Sequence, residues 1–214
     1  MKNMTILIFG VSNVGKTTAG ALLAEKLGVP FFDLDAEVKK FFGITLEQFV
    51  TSGTLEDRDR KRGMVLEEIV KDGENKVVAV TPISYPQYIR GSLRKKGVLA
   101  VELRDTPENI FARLVFSDEN DEIYTDEDYK EKHRIQLIRE IKKDLEWYGR
   151  VYRIIPEKYD MNGETAEETA DGLIRKFNLF PKNPSRFTFE VLGKDRFLLP
   201  RTERIPCSSE RSSE

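Results

Sequence analysis

The 214-residue chain has almost no cysteine or histidine: Cys207 and His133 are the only residues of their kinds. A single cysteine excludes an intrachain disulfide and an all-cysteine metal site, and a single histidine excludes a histidine-cluster zinc site. No apolar run approaches the ~20 residues of a membrane span. The opening MKNMTILIFG has no small-residue cleavage site, so it predicts a β-strand rather than a signal peptide. We therefore expect a cytoplasmic protein without a membrane contact.

An excess of basic residues is also missing. The chain has 35 Lys and Arg against 37 Asp and Glu, a formal net charge of −2, so global charge gives no reason to expect a nucleic-acid partner. The only basic cluster, residues 57–62, is interrupted by acidic residues. The 39% hydrophobic content, with 13 Phe, supplies a core, and a chain of this length buries roughly 70% of its unfolded surface. These values predict a globular protein.

Continuous apolar runs alternate with helical patterns along the chain. Runs at residues 5–9, 77–80 and 98–103 are typical of strands buried on both faces, and the segments between them have helical periodicity. This alternation predicts an α/β domain with a parallel sheet over residues 1–180, including one long helix from about residue 129 to 148. Residues 181–214 are predicted to form a C-terminal extension, a possible hairpin followed by a mobile tail.

A phosphate-binding loop follows the first strand. Residues 10–17, GVSNVGKT, match G-x-x-x-x-G-K-[ST], which occurs by chance in about one chain in a hundred of this length. The glycines let the loop wrap around an anion, Lys16 supplies charge to the β- and γ-phosphates, and the Thr17 hydroxyl is a candidate Mg²⁺ ligand. The context of a buried strand and an amphipathic helix favours ATP binding over chance. The expected nucleotide-binding residues of the loop are Gly10, Ser12, Asn13, Val14, Gly15, Lys16, Thr17 and Thr18.

Two carboxylates follow the next strand candidate. Asp33 and Asp35 are two residues apart, so on an extended segment they lie on the same side, facing the crevice at the carboxyl edge of the sheet. One can hold Mg²⁺ while the other accepts a proton from an attacking hydroxyl. The alternative is that Asp35 only caps a helix that begins at Ala36; the two roles are compatible.

With these motifs the chain resembles the shikimate kinase family, small P-loop kinases of the nucleoside-monophosphate kinase type, from about residue 4 to 177. Three pieces match in order and spacing: the loop 10–18, the F-x-D-x-D stretch that ends at Asp35, and Gly53 followed five residues later by Arg58. The resemblance implies a three-layer P-loop kinase fold with five parallel strands in the order 2-3-1-4-5. It also implies an ATP-dependent enzyme with Mg²⁺ as cofactor.

The resemblance further implies roles for individual residues. Asp33 would serve the magnesium, Asp35 would bind a substrate hydroxyl and assist its deprotonation, and Arg58 would bind the substrate carboxylate. Arg113 occupies the place of a family arginine close to the adenine. Lys16 and Asp35 are thus the expected catalytic residues. The alternative for Arg58 is a solvated helix face, because it lies in the charged run EDRDRKR.

Three departures from the family pattern concern the acceptor side. The family's triple glycine after the central strand is replaced by the segment 81–84, TPIS, and its lid by the acidic stretch 117–128, which has no Arg or Lys. Asp144 falls near the position of a third arginine that clasps the substrate carboxylate. Candidates to replace the missing lid cation are Arg139, Lys142 and Lys143 on the long helix, or a group supplied in trans.

The leading hypothesis is a kinase that phosphorylates a small hydroxylated acid, with shikimate as the default acceptor and gluconate-type or other polyol acids as alternatives. The second hypothesis is a nucleotide-binding protein that senses ATP for a protein partner, contacted through the C-terminal extension. The pair Asp33 and Asp35 favours the first, because a protein that only binds nucleotide does not require it.

Overall fold

The computed structural model describes residues 4–118 and 123–179. The hairpin and tail expected for residues 181–214 lie outside these ranges. Within them the central element is a five-stranded parallel sheet in the order β2-β3-β1-β4-β7, which confirms the order 2-3-1-4-5 of the five sheet strands. The strands are β1 (Thr5–Phe9), β2 (Phe31–Asp33), β3 (Lys76–Ala79), β4 (Val98–Arg104) and β7 (Glu157–Asp160).

Helices cover both faces of the sheet, and a two-stranded antiparallel sheet, β5 (Phe116–Ser117) with β6 (Ile123–Tyr124), lies outside it. The helices of the described residues are α1 (Lys16–Leu27), α2 (Leu34–Phe42), α3 (Leu46–Thr51), α4 (Leu55–Ile69), α5 (Arg90–Leu93), α6 (Pro107–Ala112), α7 (Glu127–Lys132), α8 (Arg134–Val151) and α9 (Ala166–Phe177), with 3₁₀ turns at Pro86–Tyr88 and Tyr152–Ile154.

The core has two halves, one on each face of the sheet. In β1 all five residues are buried: Ile6 and Ile8 belong to the half under α1 and α9, whereas Leu7 and Phe9 belong to the half under α2 and α4. Successive side chains of a strand point to opposite faces, so a strand covered on both faces is apolar throughout. This is why the continuous run TILIF identified β1.

In the second half of the chain, one helix differs from the sequence-based expectation. The prediction of a single long helix from residue 129 to 148 is wrong, because α7 and α8 are separate helices that meet at His133. The carbonyl of Tyr129 contacts both the His133 backbone N–H and, at 2.9 Å, the ring Nδ1 atom, and the centroids of the two rings lie 4.1 Å apart. No Pro or Gly lies at this break, and the helical periodicity of apolar residues continues through it, so the sequence gives no sign of the break.

Helix α4 is longer than its apolar pattern indicates. A capping box begins it, in which Thr54 and Asp57 bond each other's backbone N–H groups, so the helix includes the charged run from residue 56 to 62. Asp59 and Arg62 within this run are buried. The helix therefore carries charged side chains into the protein at the carboxyl edge of the sheet.

We expect Gly63→Ala to destabilise the fold by about 1–3 kcal/mol. In α4, a Cβ at residue 63 would lie 2.6 Å from the carbonyl oxygen of Tyr88. Elsewhere in a helix the same change stabilises by about 0.5–1 kcal/mol, so Gly149→Ala in α8, whose Cβ meets nothing within 4 Å, is the matched control. Urea unfolding of both variants checks this, and equal or greater stability of the Gly63→Ala protein would contradict the close packing.

Candidate active site

The phosphate-binding loop connects β1 to α1 in a conformation that requires its glycines. Gly10 has φ 146° and Gly15 has φ 107°. A Cβ on Gly10 would lie 2.7 Å from the carbonyl oxygen of Leu103. Asn13 also has a left-handed φ of 59°. Left-handed residues separated by ordinary ones turn consecutive N–H groups toward one point, and the N-terminus of α1 follows at once, so the loop forms an anion site.

The side chains of this loop divide between solvent and core. Ser12, Thr17 and Thr18 are exposed, whereas Val14 is fully buried in the half of the core under α1 and α9. Val14 can therefore serve a nucleotide only through its backbone. The exposed hydroxyls at the first turn of α1 remain available to a ligand.

Lys16 is the buried cation of the loop. It is 9% exposed, and its Nζ atom donates to the Val11 carbonyl at 2.8 Å. Burial lowers the pKa of Lys16 to about 8, and the carboxylates of Asp35 and Asp33 only partly oppose this. Burial removes much of the water that would stabilise the charge of the Lys16 ammonium group. A phosphate bound in the loop would therefore stabilise the charged form of Lys16 strongly.

Asp33 joins the loop to α2. Its Oδ2 atom accepts the Thr17 hydroxyl at 2.8 Å, and its Oδ1 atom accepts the backbone N–H groups of Asp35 at 3.0 Å and Ala36 at 3.3 Å. Asp33 is thus the N-cap of α2, which begins at Leu34. The expectation that Asp35 caps a helix beginning at Ala36 is wrong. The expectation that both carboxylates lie on an extended segment is also wrong, because only Asp33 belongs to the strand and Asp35 lies in the first turn of α2.

The Thr17 hydroxyl and the Asp33 carboxylate place two hard oxygen donors side by side. Mg²⁺ in nucleotide sites takes one or two protein oxygens together with phosphate oxygens and water. The described residues contain no cluster of three or more His, Cys, Asp or Glu suited to a metal ion. The donor set fits Mg²⁺ that arrives with a nucleotide.

Asp35 faces a buried pair of charges on α4. Its Oδ1 atom lies 3.6 Å from Nη2 of Arg62, and Nη1 of Arg62 lies 3.4 Å from Asp59. Burial raises the pKa of Asp35, while Arg62 and a hydrogen bond from the Thr81 side chain oppose the rise. Asp35 Oδ1 and Arg62 Nε have no hydrogen-bond partner in the described part of the chain. These orphaned polar atoms mark a place where a ligand can bind.

Asp59 and Arg62 were not among the residues expected from the sequence. Asp59 is fully buried, and its Oδ2 atom accepts the backbone N–H groups of Ser84 at 2.6 Å and Tyr85 at 3.2 Å. Asp59 thereby holds the segment after β3, where the family has its glycines, against α4. The sequence signal available for this pair was the spacing of three residues between Asp59 and Arg62, which allows an ion pair on one face of a helix. That spacing lies inside a charged run that is typical of a solvated helix face.

Arg58 occupies the outer end of the same helix. Its Nη1 atom donates to the Gly53 carbonyl at 3.2 Å, and the side chain is half-buried. The arginine that the structure brings to Asp35 is Arg62, one turn further on. The role of Arg58 in binding a substrate carboxylate stays a prediction.

The last turns of α8 close this side of the site. The Ser84 hydroxyl lies 3.3 Å from the Tyr148 hydroxyl and accepts the Trp147 indole N–H at 3.4 Å. Burial raises the pKa of Tyr148, which stays protonated at neutral pH. Two aromatic side chains and a serine hydroxyl therefore lie next to the buried pair of Asp59 and Arg62.

Arg113 lies at the C-terminal end of α6, where its guanidinium bonds the fully buried side chain of Asp105. Burial alone would raise the pKa of Asp105, but hydrogen bonds from Arg113, Asn109 and the Thr106 N–H together hold it below its ordinary value. Asp105 also accepts the N–H of Gly163, after β7. Arg113 is thus fixed between the loops after β4 and β7.

The expected lid is only partly described, because residues 119–122 lie outside the described ranges. Of the candidate replacement cations on α8, Lys142 is exposed and lies 4.0 Å from Glu108 of α6. Arg139 and Lys143 are exposed. No helix within residues 4–118 and 123–179 is long and apolar enough to span a membrane.

Comparison with known proteins identifies a family. Residues 12–173 match the family model for shikimate kinase. The chain is 37% identical over 117 residues to shikimate kinase of Caldicellulosiruptor saccharolyticus, covering 53% of this chain and 64% of that one. It is 28% identical over 185 residues to shikimate kinase of Bacillus licheniformis, covering 84% of this chain and 96% of the relative.

Solved structures show the same fold. Shikimate kinase from Bacteroides thetaiotaomicron superposes with a TM-score of 0.66 at 24% identity, over 82% of this chain and 99% of that one. Shikimate kinase from Acinetobacter baumannii, determined in complex with shikimate, gives 0.63 at 23% identity, over 82% and 93%. A sugar kinase from a Janibacter species gives 0.53 at 16% identity, over 84% and 96%.

Proposed function

Since the chain belongs to the shikimate kinase family, we propose that it transfers the γ-phosphoryl group of ATP to a hydroxyl of a small metabolite, with shikimate as the default acceptor. The observation that carries the proposal is the convergence of Lys16, Asp33 and Asp35 beside the loop, with Asp33 bonded to Thr17 at 2.8 Å. A site that only held a nucleotide would not need Asp35, whose Oδ1 atom lies 3.6 Å from Nη2 of Arg62.

The proposed reaction divides the work among these residues. The loop N–H groups and Lys16 bind the β- and γ-phosphates, and Lys16 neutralises charge that develops on the transferred group. Thr17 and Asp33 would hold Mg²⁺, which when bound screens the phosphate charge. Asp35 accepts the proton of the attacking hydroxyl, for which its raised pKa is suited because a stronger base takes the proton more readily. Arg113, whose guanidinium bonds Asp105, would contact the nucleotide base, as the family resemblance implies.

The test is ADP production from Mg·ATP with and without shikimate, by a coupled assay on the full chain. Shikimate-dependent turnover supports the proposal and its default acceptor. Turnover that needs a different hydroxylated compound supports phosphotransfer but not shikimate. ATP binding without acceptor-dependent turnover across a panel of acids and polyols would contradict the enzyme and favour nucleotide sensing.

Arg62 is expected to set the pH dependence of this reaction. The groups that act on Asp35 are Arg62, Thr81, Asp33 and Lys16, of which Arg62 lowers its pKa most strongly. Replacing Arg62 by Met therefore raises the pKa of Asp35 and moves the acidic limb of the kcat profile to higher pH. Arg62→Lys keeps the positive charge, so it should shift the acidic limb of the kcat profile less. A pH–rate profile checks this.

A purely structural Arg62 would lower activity at every pH without moving the limb. Arg62→Met leaves the carboxylate of Asp59 buried without its cationic partner, so we expect this single variant to lose stability. The double variant Arg62→Met with Asp59→Asn removes both charges together, and Asn can still accept the Ser84 N–H. An unchanged acidic limb in a folded double variant would contradict the electrostatic role.

A further inference from the structure

The segment that follows β3 connects the expected catalytic base to helix α8. The Thr81 side chain donates a hydrogen bond to Asp35, and the Ser84 hydroxyl accepts the indole N–H of Trp147 at 3.4 Å. Three residues span at most about 11 Å of chain. A small acceptor whose reacting hydroxyl lies at Asp35 can therefore extend along this segment toward Trp147.

The indole N–H of Trp147 is only weakly engaged inside the protein. Its 3.4 Å contact with Ser84 is longer than the ordinary N–H···O distance of about 2.7–3.2 Å. The contact between the Ser84 and Tyr148 hydroxyls, at 3.3 Å, is also long for its kind. An indole N–H can only donate, so a ligand carboxylate oxygen would be a stronger partner for it than the neutral Ser84 hydroxyl.

The ring of Trp147, the only tryptophan of the chain, is accessible to a ligand. Its exposed fraction is 52%, although Ser84 beside it is buried and is held by the carboxylate of Asp59, which accepts the Ser84 backbone N–H at 2.6 Å. Aromatic rings offer a large apolar contact area. A half-exposed ring that is fixed beside a buried polar cluster is suited to cover the apolar face of a bound ring compound.

The buried cations next to Asp35, Lys16 and Arg62, are both engaged by other groups. Arg62 lies 3.6 Å from Asp35 and 3.4 Å from Asp59, and Lys16 donates to the Val11 carbonyl and serves the phosphates in the proposed reaction. Two cations and two carboxylates leave no net charge to repel a carboxylate, and they leave no free cation to hold one. Neutral hydrogen-bond donors can therefore contribute to its recognition.

We propose that Trp147 is a further acceptor-binding residue that determines specificity. Its indole N–H donates to an oxygen substituent at the far end of the acceptor, such as the carboxylate of shikimate, and its ring covers the acceptor's apolar face. The inference rests on the proposed phosphotransferase function and adds a residue to the same site. Because the contact is remote from the transferred phosphate, it acts on acceptor binding rather than on the chemical step.

Steady-state kinetics of two variants of the full chain test this role. Trp147→Phe keeps an aromatic ring and removes the N–H, whereas Trp147→Ala removes both. At saturating Mg·ATP we expect the KM for shikimate to rise about 10-fold in Trp147→Phe, the usual effect of losing one hydrogen bond to a charged group, and further in Trp147→Ala. In both variants kcat and the KM for ATP should stay close to those of the parent. Ile135→Ala removes another exposed apolar side chain of α8, at its opposite end, and should leave every constant unchanged.

Trp147 also reports the contact directly, because no other tryptophan contributes to the emission. With Mg²⁺ and the non-hydrolysable analogue AMP-PNP already bound, added shikimate should change the tryptophan emission saturably. The midpoint of this change should lie close to the KM for shikimate. Ile135→Ala should show the same titration as the parent.

The outcomes separate this inference from the proposed function. Shikimate turnover without an emission change, and with an unchanged KM in Trp147→Ala, overturns the role of Trp147 and leaves phosphotransfer standing. A lower kcat with an unchanged KM overturns it too, since only the packing of α8 would then be affected. If another acceptor replaces shikimate in the parent, the same titration and variants are measured with that acceptor. Absence of turnover with every acceptor overturns the phosphotransferase, and this inference with it.

Discussion

Replacing Lys16 by Met is expected to lower the rate of phosphoryl transfer by about 10²- to 10³-fold, the usual effect of removing one charge-stabilising donor from a transition state. Met keeps the length of the side chain but removes the ammonium group that donates to Val11. Because burial already disfavours the charged form of Lys16, we expect the variant to lose little stability beyond the hydrogen bond to Val11. Steady-state kinetics and urea unfolding measure the two effects separately.

Lys26 provides the matched control on the same helix. Its Nζ atom lies 2.7 Å from Asp171 and 3.3 Å from Glu167, both on α9, at the end of α1 remote from the loop. Lys26→Met should leave turnover unchanged and cost at most about 1 kcal/mol of stability, the range of exposed ion pairs. A Lys16→Met enzyme with near-normal turnover would show that another group stabilises the transferred phosphate.

The pKa of Lys16 gives the same prediction a second readout. In the free protein Lys16 loses its proton above about pH 8, and bound phosphates favour the charged form. Binding of Mg·ATP above this pH should therefore take up a proton, and affinity should fall as the pH rises further. Calorimetry in buffers of different ionisation enthalpy detects the uptake, which should be absent in Lys16→Met.

The sequence was sufficient to place the glycine-rich loop between a buried strand and a helix, because the determinants of that loop are contiguous. Gly10, Gly15 and Lys16 lie within seven residues, and the loop needs only the buried strand before it and the helix after it. The apolar strands were visible for a related reason, since a parallel strand covered on both faces has no polar period. The order of the strands came from the family resemblance, because periodicity contains no information on neighbours.

The buried pair of Asp59 and Arg62 could not be predicted, because contacts with residues distant in sequence bury it. Asp59 is buried by the backbone of Ser84 and Tyr85, which are 25 and 26 residues away, and Arg62 by Asp35 on another helix. The charged run 56–62 has no apolar stripe that would mark one face as internal. The cap of α2 also involves a distant contact, because Asp33 accepts the N–H groups of Asp35 and Ala36 while its other oxygen accepts the Thr17 hydroxyl.

Asp35→Asn is expected to lower kcat by about 10²- to 10⁴-fold, the contribution of a general base. Asn has the same size and cannot accept the proton of the attacking hydroxyl. The pKa of Asp35 is raised above its ordinary value, so its charge costs the folded state stability as the pH rises through that pKa. The neutral variant escapes this cost, and Arg62 keeps Asp59 as its partner. We therefore expect ATP affinity to stay close to that of the parent, and the free energy of unfolding to be no lower.

Asp33→Asn separates proton transfer from the magnesium role. Asn is as good an N-cap as Asp, so α2 stays formed, but the carboxylate oxygen beside Thr17 is replaced by an amide. We expect this variant to need more Mg²⁺ for half-maximal turnover and to recover much of its rate at high Mg²⁺, whereas Asp35→Asn stays slow at every Mg²⁺ concentration. Recovery of Asp35→Asn by Mg²⁺ would mean that Asp35 serves the metal, and a rate within 10-fold of the parent would mean that another group takes the proton.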